Sequence, residues 1–425
     1  KYDTPVLIRT TTRMAHSRGI VTISERKEVE NREVVRDMRK NVMLPVNARM
    51  RHVVVEEREN TMADDANELP INRIEWTDDR SLGVVASGIA YQYVKEAMPE
   101  IPVLKLGMVN PLPLDLIRSF ADGVQRLVIA EELEPIYEEQ IKALGIECEG
   151  KGLFSRQGEF STPIVKAALT GEKMDSAPIA DLPARPPVMC PGCPHRATFN
   201  VLSKLGVFVS GDIGCYTLGA LPPANAMHVS VCMGSSIPVA SGMQKADPAN
   251  AKKTVSVIGD STFFHSGMTG LVDMVYNKAN GTVLILDNGT TGMTGHQDHP
   301  GTGKTLDGEY APKVDFEQLV RALGVTSVNV VDPFDMKLLE KTIREELEKD
   351  EPSVIICRRP CALLPGMRKA PVAVDPDVCK SCGLCLKLGC PAIENHDGHP
   401  VINQSLCTGC GLCASICPFH AIKEA

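Results

Sequence analysis

Apolar residues along this chain gather in short runs bounded by turn residues, and most runs are followed by a stretch of helical spacing. Leu82-Gly83-Val84-Val85-Ala86-Ser87-Gly88 reads as a buried strand, with a helix running on to Met98. Ile101-Pro102-Val103-Leu104-Lys105-Leu106 is the next strand, then a helix over 113–121, a strand over 126–130 and a helix over 135–144. Buried runs alternating with helices at this spacing predict a parallel α/β sheet. A second series follows, with strands predicted at 207–209, 228–231, 254–258, 282–286, 325–331 and 353–356. Helices fit at 265–279, 314–323 and 335–349. Between the two series, residues 175–188 are rich in Pro and Ala (Ala177-Pro178, Leu182-Pro183, Arg185-Pro186-Pro187) and read as a linker.

The first 68 residues break this pattern. Val6-Leu7-Ile8 and Gly19-Ile20-Val21-Thr22-Ile23 read as β-rich pieces. Residues 25–68 carry dense Glu, Arg and Lys, which predicts a solvated helix and connector. The chain opens on Lys1-Tyr2-Asp3-Thr4 without Met, so we expect a preceding segment. The domains expected are therefore 1–68, 75–172, 188–367 and 371–425.

Composition adds mainly exclusions. The 425 residues are 43% hydrophobic and 23% charged, enough for several cored domains. A net charge of −8 argues against nucleic acid and anionic membrane as partners. No apolar run reaches spanning length and no signal peptide is visible, so a cytoplasmic location is expected.

The 15 cysteines change the picture more. Cys379-Lys380-Ser381-Cys382-Gly383-Leu384-Cys385 is followed by Cys390-Pro391, and Cys407-Thr408-Gly409-Cys410-Gly411-Leu412-Cys413 by Cys417-Pro418. Three thiolates from one tight loop cap three irons of a cubane, and the more distant Cys ligates the other cluster. One [4Fe–4S] cluster is thus assigned to Cys379, Cys382, Cys385 and Cys417, and a second to Cys407, Cys410, Cys413 and Cys390. The first run departs from the usual spacing, with four residues rather than three between Cys385 and Cys390. Zinc also uses Cys-x2-Cys pairs and is the competing reading.

A third feature is Thr254-Val255-Ser256-Val257-Ile258-Gly259-Asp260-Ser261, followed downstream by Asp287-Asn288-Gly289-Thr290. Parallel neighbouring strands would bring Asp260 and Asn288 to one carboxyl edge, where α/β folds bind ligands. The pair resembles the Gly-Asp-Gly…Asn-Asn fingerprint of thiamine diphosphate enzymes, with Ser261 and Asp287 as substitutes. The resemblance implies Mg²⁺ and a diphosphate at this edge. Mg²⁺ takes oxygen ligands, which Asp260, the Asn288 amide and the Thr290 carbonyl can supply. The predicted helix near His265 would point its N-terminus at the diphosphate. Gly-Asp alone would be only a turn.

Cys190-Pro191-Gly192-Cys193-Pro194-His195-Arg196, Gly211-Asp212-Ile213-Gly214-Cys215-Tyr216, Gly259–Asp260–Ser261 and Thr291-Gly292-Met293-Thr294-Gly295-His296 stand in this order. Together they resemble the 2-oxoacid:ferredoxin oxidoreductases over essentially the whole chain. With a two-cluster module fused at its C-terminus, the chain looks most like the indolepyruvate-type alpha subunits.

The resemblance implies doubly wound parallel-sheet thiamine diphosphate domains plus a C-terminal two-[4Fe–4S] ferredoxin-like domain. Residues 1–68 would be the end of a pyrimidine-binding domain and its connector, and 75–172 a transketolase C-terminal-like domain. Implied activity is oxidative decarboxylation of an aryl 2-oxoacid with coenzyme A, electrons leaving for ferredoxin. Implied partners are a gamma-type beta subunit and the missing pyrimidine-domain segment, whose activating Glu has no candidate here. Glu131 and Glu132 read as structural acids. Cofactor contacts are implied for Gly234, Ser235, Gly259, Asp260, Ser261, Asn288, Thr290, Met293 and Thr294. Mg²⁺ would be held by Asp260, Asn288 and Thr290. Cys190, Cys193, Cys215 and Cys361 would hold a third [4Fe–4S] cluster near thiamine. Catalytic roles are expected for His195, His265 and His296, with His299 close by. Cys148, Cys232 and Cys357 read as core residues. Rival readings are another 2-oxoacid (phenylglyoxylate, pyruvate, 2-oxoglutarate) or an electron-transfer subunit whose thiamine domain is vestigial.

Overall fold

The structure is a computed structural model describing residues 1–31, 33–172, 183 and 185–425. It divides into two compact units, Lys1–Leu182 and Pro183–Ala425. Much of the expected 175–188 linker, including Ala177-Pro178 and Leu182, lies outside the described residues. Among those described, no helix is long and apolar enough to cross a membrane.

In the first unit, strands β1 (Arg73–Glu75), β2 (Gly83–Ser87), β3 (Val103–Leu106) and β4 (Leu127–Ala130) form a sheet in the order β1-β3-β2-β4. β2 lies parallel to β3 and β4, as the alternation predicts. Val84 and Ala86 pack into one core and Val85 into the other, so the continuous apolar run serves both faces. The edge strand β1 is antiparallel to β3 and was missed, because three residues with charged ends carry no strand pattern.

Residues 1–24 correct the reading. Val6-Leu7-Ile8 and Gly19–Ile23 form no strands; the segment holds one short helix, Thr12–His16. Leu7, Ile8 and Ile20 are almost fully exposed. An apolar run becomes a strand only where another edge pairs with its backbone, and no described strand does so here. The charged stretch does contain the expected helix, Pro45–Ala66.

In the second unit, β5 (Phe208–Gly211), β6 (Val229–Ser230), β7 (Thr254–Gly259), β8 (Thr282–Asp287), β9 (Ser327–Val331) and β10 (Ser353–Arg358) form an all-parallel sheet, in the order β6-β5-β7-β8-β10-β9. Helices His195–Leu205 and Met336–Leu347 cover one face through Phe199, Leu202, Leu339 and Ile343. Helices Ser236–Ala246, Met268–Tyr276 and Phe316–Ala322 cover the other through Ile237, Leu271, Met274 and Phe316. Each such side chain contributes about 1.5–3 kcal/mol on full burial. The chain reverses direction across the sheet between β5 and β7, and ligands bind at such switch points.

The cysteine-rich end belongs to this same unit. Strand β11 (Val372–Val374) pairs with β14 (Ile422–Glu424), and β12 (Ile393–His396) with β13 (His399–Ile402). Its core of Val372, Leu388, Ile402, Leu412 and Ile422 also takes in Ala197, from the helix His195–Leu205.

Candidate functional site

Three parallel strands end side by side at the switch point, and each delivers an acid or amide. β5 runs into Asp212, β7 into Asp260 and β8 into Asp287-Asn288. The register pairs Gly259 with Leu286, so Asp260 and Asn288 emerge at one edge.

Asp260 is buried. Its Oδ1 accepts from Ser261 N at 2.7 Å. Its Oδ2 accepts from Asn288 N at 3.2 Å and Gly289 N at 2.8 Å. His299 Nε2 lies 3.2 Å from the same oxygen but is not aligned to donate. Asn288 Oδ1 accepts from Thr290 N at 3.1 Å, and the Thr290 carbonyl from Gly292 N at 3.0 Å. Asp260 Oδ1, Asn288 Oδ1 and the Thr290 carbonyl thus each keep a free lone pair. These are hard oxygen donors at the mouth of a parallel sheet, and they fit Mg²⁺ with a diphosphate. Asp287 takes no part: it pairs with Arg358 at 2.7 Å, and burial pushes its carboxyl up against that pairing.

The helix after β7 starts at Asp260 rather than near His265. Residues Phe263–Gly267 make a π turn before the α-helix Met268–Tyr276, an arrangement frequent at functional sites. His265 lies in that turn, exposed, 3.0 Å from Ser266 Oγ. His296 is exposed on the following loop with φ 64°, beside exposed Met293 and Thr294. His195 is different. Burial lowers it to about 4, against the opposing pull of Asp260, so its ring is neutral at pH 7. Its Nε2 faces the Asn288 amide at 3.3 Å, where it positions that side chain.

Asp212 was overlooked as a site residue. Fully buried, it accepts from Ile213 N at 2.9 Å, Gly234 N at 2.7 Å and Ser236 N at 3.1 Å. It therefore ties the Met233-Gly234-Ser235-Ser236 loop to the end of β5. Its signal was Gly211-Asp212, the same strand-end pair as Gly259-Asp260. Gly234 has φ 89° and touches Ser266, so a side chain there would collide. Ser235 bonds back to Cys232, whose thiol is exposed rather than in the core. Cys357 is buried and Cys148 half-buried.

The chain also brings Cys190 into electrostatic range of Cys193, Cys215 and Cys361, and Cys215 into range of Cys193 and Cys361, although Cys190 and Cys361 lie far apart in sequence. Cys361 N donates to the Asn288 carbonyl at 2.9 Å, and Cys215 Sγ lies against Gly292. This thiol group therefore abuts the Asp260–Asn288 edge. Burial pushes Cys193 up to about 12. Such a thiol becomes a thiolate only with a compensating cation, as metal binding provides.

At the C-terminus, Cys379, Cys382, Cys385 and Cys417 line one cavity. Cys390 lies within range of Cys410 and Cys413, which also feel Cys407. Backbone N–H groups of Ser381, Gly409 and Ala421 point at the sulfurs of Cys379, Cys407 and Cys417, each at 3.4 Å. Gly409 has φ 65° and would place a Cβ 2.2 Å from the Ala370 carbonyl, so the loop requires glycine. No three described His, Cys, Asp or Glu side chains converge on a single-ion point. A cubane instead spreads its thiolates over separate irons, and the spaced thiols and directed N–H groups fit it.

In the first unit, Glu131 accepts from Tyr137 N and Glu138 N, and Glu132 from Phe160 N, in keeping with structural roles.

Comparison with known proteins matches residues 212–357 to the model "Thiamine pyrophosphate enzyme, C-terminal TPP binding domain" and 400–423 to "4Fe-4S binding domain". The chain is 37% identical to indolepyruvate oxidoreductase subunit IorA of Methanothermobacter thermautotrophicus, over 99% of this chain and 73% of that protein. It is 38% identical to the subunit of the same name from Archaeoglobus fulgidus, over 100% of this chain and 73% of that one. A 2-oxoglutarate:ferredoxin oxidoreductase structure from Magnetococcus marinus is 22% identical, covering 42% of this chain and 66% of its own, at a TM-score of 0.36.

Proposed function

Because the chain belongs to the family of indolepyruvate oxidoreductase subunit IorA, we propose that it oxidatively decarboxylates an aryl 2-oxoacid of the indolepyruvate type. The balance is one 2-oxoacid and one coenzyme A thiol giving one acyl-CoA, one CO₂, one proton and two electrons. The electrons pass through iron–sulfur clusters to a ferredoxin. A gamma-type beta subunit and a pyrimidine-binding segment would complete the assembly, in which residues 1–68, 75–172, 188–367 and 371–425 act as the working domains.

Bound thiamine diphosphate supplies the electron sink that lets the 2-oxoacid lose CO₂. Asp260, Asn288 and the Thr290 carbonyl would hold Mg²⁺ and the diphosphate, with Gly234 and Ser235 forming the facing loop. His195, neutral and buried, orients the Asn288 amide. Met293 and Thr294, on an exposed turn, would contact the cofactor, and His265 and His296 would face the substrate side.

The observation that carries this reading is the Cys361 N–H bond to the Asn288 carbonyl. It sets Cys361 beside the Asn288 backbone, which supports a third cluster on Cys190, Cys193, Cys215 and Cys361 that would collect electrons at the cofactor edge. A vestigial thiamine domain would have no reason to keep both Asp260 and that contact.

The test is anaerobic iron and sulfide quantification with EPR, together with coenzyme A-dependent ferredoxin reduction on indolepyruvate, phenylglyoxylate, pyruvate and 2-oxoglutarate. About twelve irons per chain, with fastest turnover on indolepyruvate, is expected. About eight irons would remove the third cluster. Preference for a non-aryl acid would reassign the substrate.

A further inference from the structure

Arg196 is 7% exposed, near the start of the helix His195–Leu205. Its guanidinium makes four hydrogen bonds, all to backbone carbonyls. One terminal nitrogen donates to Leu388 O at 2.8 Å and Gly389 O at 2.5 Å, the other to Met189 O at 2.5 Å and Cys190 O at 3.3 Å. Its Nε is buried with no acceptor, and no carboxylate among the described residues pairs with it.

An ionised group removed from water without a counter-charge is strongly unfavourable, and arginine does not escape by losing its proton. A group of net negative charge nearby would supply that counter-charge. The carbonyls that hold Arg196 show where. Met189 and Cys190 open the Cys190–Cys193 loop. Leu388 and Gly389 lead directly into Cys390, in the stretch where the cysteine spacing is one residue longer than usual. A direct contact joins the same two regions: a Cβ at Gly192 would lie 2.4 Å from Thr408 Oγ1 and 3.3 Å from the Cys410 Cβ. Arg196 thus bridges the two thiol groups, and its field opposes the burial that raises Cys193.

We propose that Arg196 is a shared counter-charge for two iron–sulfur clusters, one on Cys190, Cys193, Cys215 and Cys361, the other on Cys390, Cys407, Cys410 and Cys413. It holds the two binding loops at a constant separation and makes both clusters easier to reduce. This rests on the cluster assignment proposed above. Each cluster gains one electron on reduction, no bond is made or broken, and Arg196 keeps its proton throughout. Net charge around a cluster is among the main determinants of its potential.

The experiment is an EPR-monitored redox titration of the anaerobic complex, preceded by iron quantification. Arg196→Gln is expected to keep its iron and to lower the one-electron reduction equilibrium of both clusters at least tenfold, about 59 mV. Arg196→Lys, which keeps the charge, should recover most of that shift. Unchanged potentials in Arg196→Gln with full iron would overturn the proposal, as would Arg196→Lys matching Arg196→Gln. If Arg196→Gln loses iron, Asn200→Asp decides. Asn200 is one helical turn on and lines the same cavity of about 490 Å³, so a carboxylate there opposes the Arg196 field. Downward-shifted potentials support the proposal, and unchanged ones refute it. Wild-type protein lacking the third cluster is recognised at the iron count; it defeats the functional reading first and this proposal with it.

Discussion

Asp212→Ala gives the sharpest test of how the cofactor edge is built. The carboxylate is fully buried and accepts from Gly234 N at 2.7 Å and Ser236 N at 3.1 Å. Truncation to a methyl leaves both N–H groups without a partner. Each unsatisfied buried donor costs about 1–3 kcal/mol, so the loop loses roughly 2–6 kcal/mol. That is a large share of the roughly 5–15 kcal/mol that holds a typical domain together. The loss falls on the Met233–Ser236 loop, which relaxes away from the β5 end rather than remain unsatisfied. Every 1.4 kcal/mol spent on restoring it at binding weakens affinity about tenfold. Isothermal titration of Mg²⁺ and thiamine diphosphate into cofactor-stripped, anaerobic protein should therefore show at least a tenfold weaker Kd. Asp212→Asn should fall between the two, since its amide keeps one acceptor and turns a donor toward donors. Affinity within threefold of wild type in a folded Asp212→Ala protein would refute the argument that this carboxylate builds the loop.

Other expectations follow from the same geometry. Cys361→Ser should cut iron from about twelve to about eight per chain and leave the EPR signals of the C-terminal clusters in place; undiminished iron would show that Cys361 is no ligand. Gly192→Ala forces φ 75° on a residue with a side chain and drives its Cβ into Thr408. It should cost about 1–3 kcal/mol and weaken spin coupling between the two adjoining clusters, and an unaltered EPR line shape would count against that contact. Glu131 is held above the ordinary Glu value of 4.5, chiefly by burial, with the Tyr137 and Glu138 amides pulling the other way. A raised folded value means the protonated form favours the fold, so this contribution is complete below 4.5 and lost as pH rises through the folded value. Protection of the amides in helix Ile136–Ala143, read by hydrogen exchange, should decline across that window in wild type more than in Glu131→Gln; equal profiles would contradict this.

Much of this molecule can be read locally. The buried runs at 254–258 and 282–286 became neighbouring parallel strands because fully apolar segments of that length, separated by a helix, have few other ways to satisfy their backbones. Thiolate spacing within Cys379–Cys385 and Cys407–Cys413 is likewise a property of one loop and is legible without the fold.

The same local logic failed at residues 1–24. Apolar alternation there has no described pairing edge, and a strand is a relation between two segments rather than a property of one. It also passed over β1, Asp212 and Arg196, whose roles come from partners distant in sequence.

What the sequence by itself determined is the set of strands, the acid and amide at their ends, and the cysteine ligand loops, all of them encoded within a few residues. Only the tertiary structure decided that the Cys361 backbone bonds the Asn288 carbonyl, and that Asp212 ties down the facing loop. It alone put an unpaired guanidinium between two thiol groups. Parallel strands return every carboxyl end to one edge of the sheet, and that long-range convergence follows from strand order, which no local spacing records.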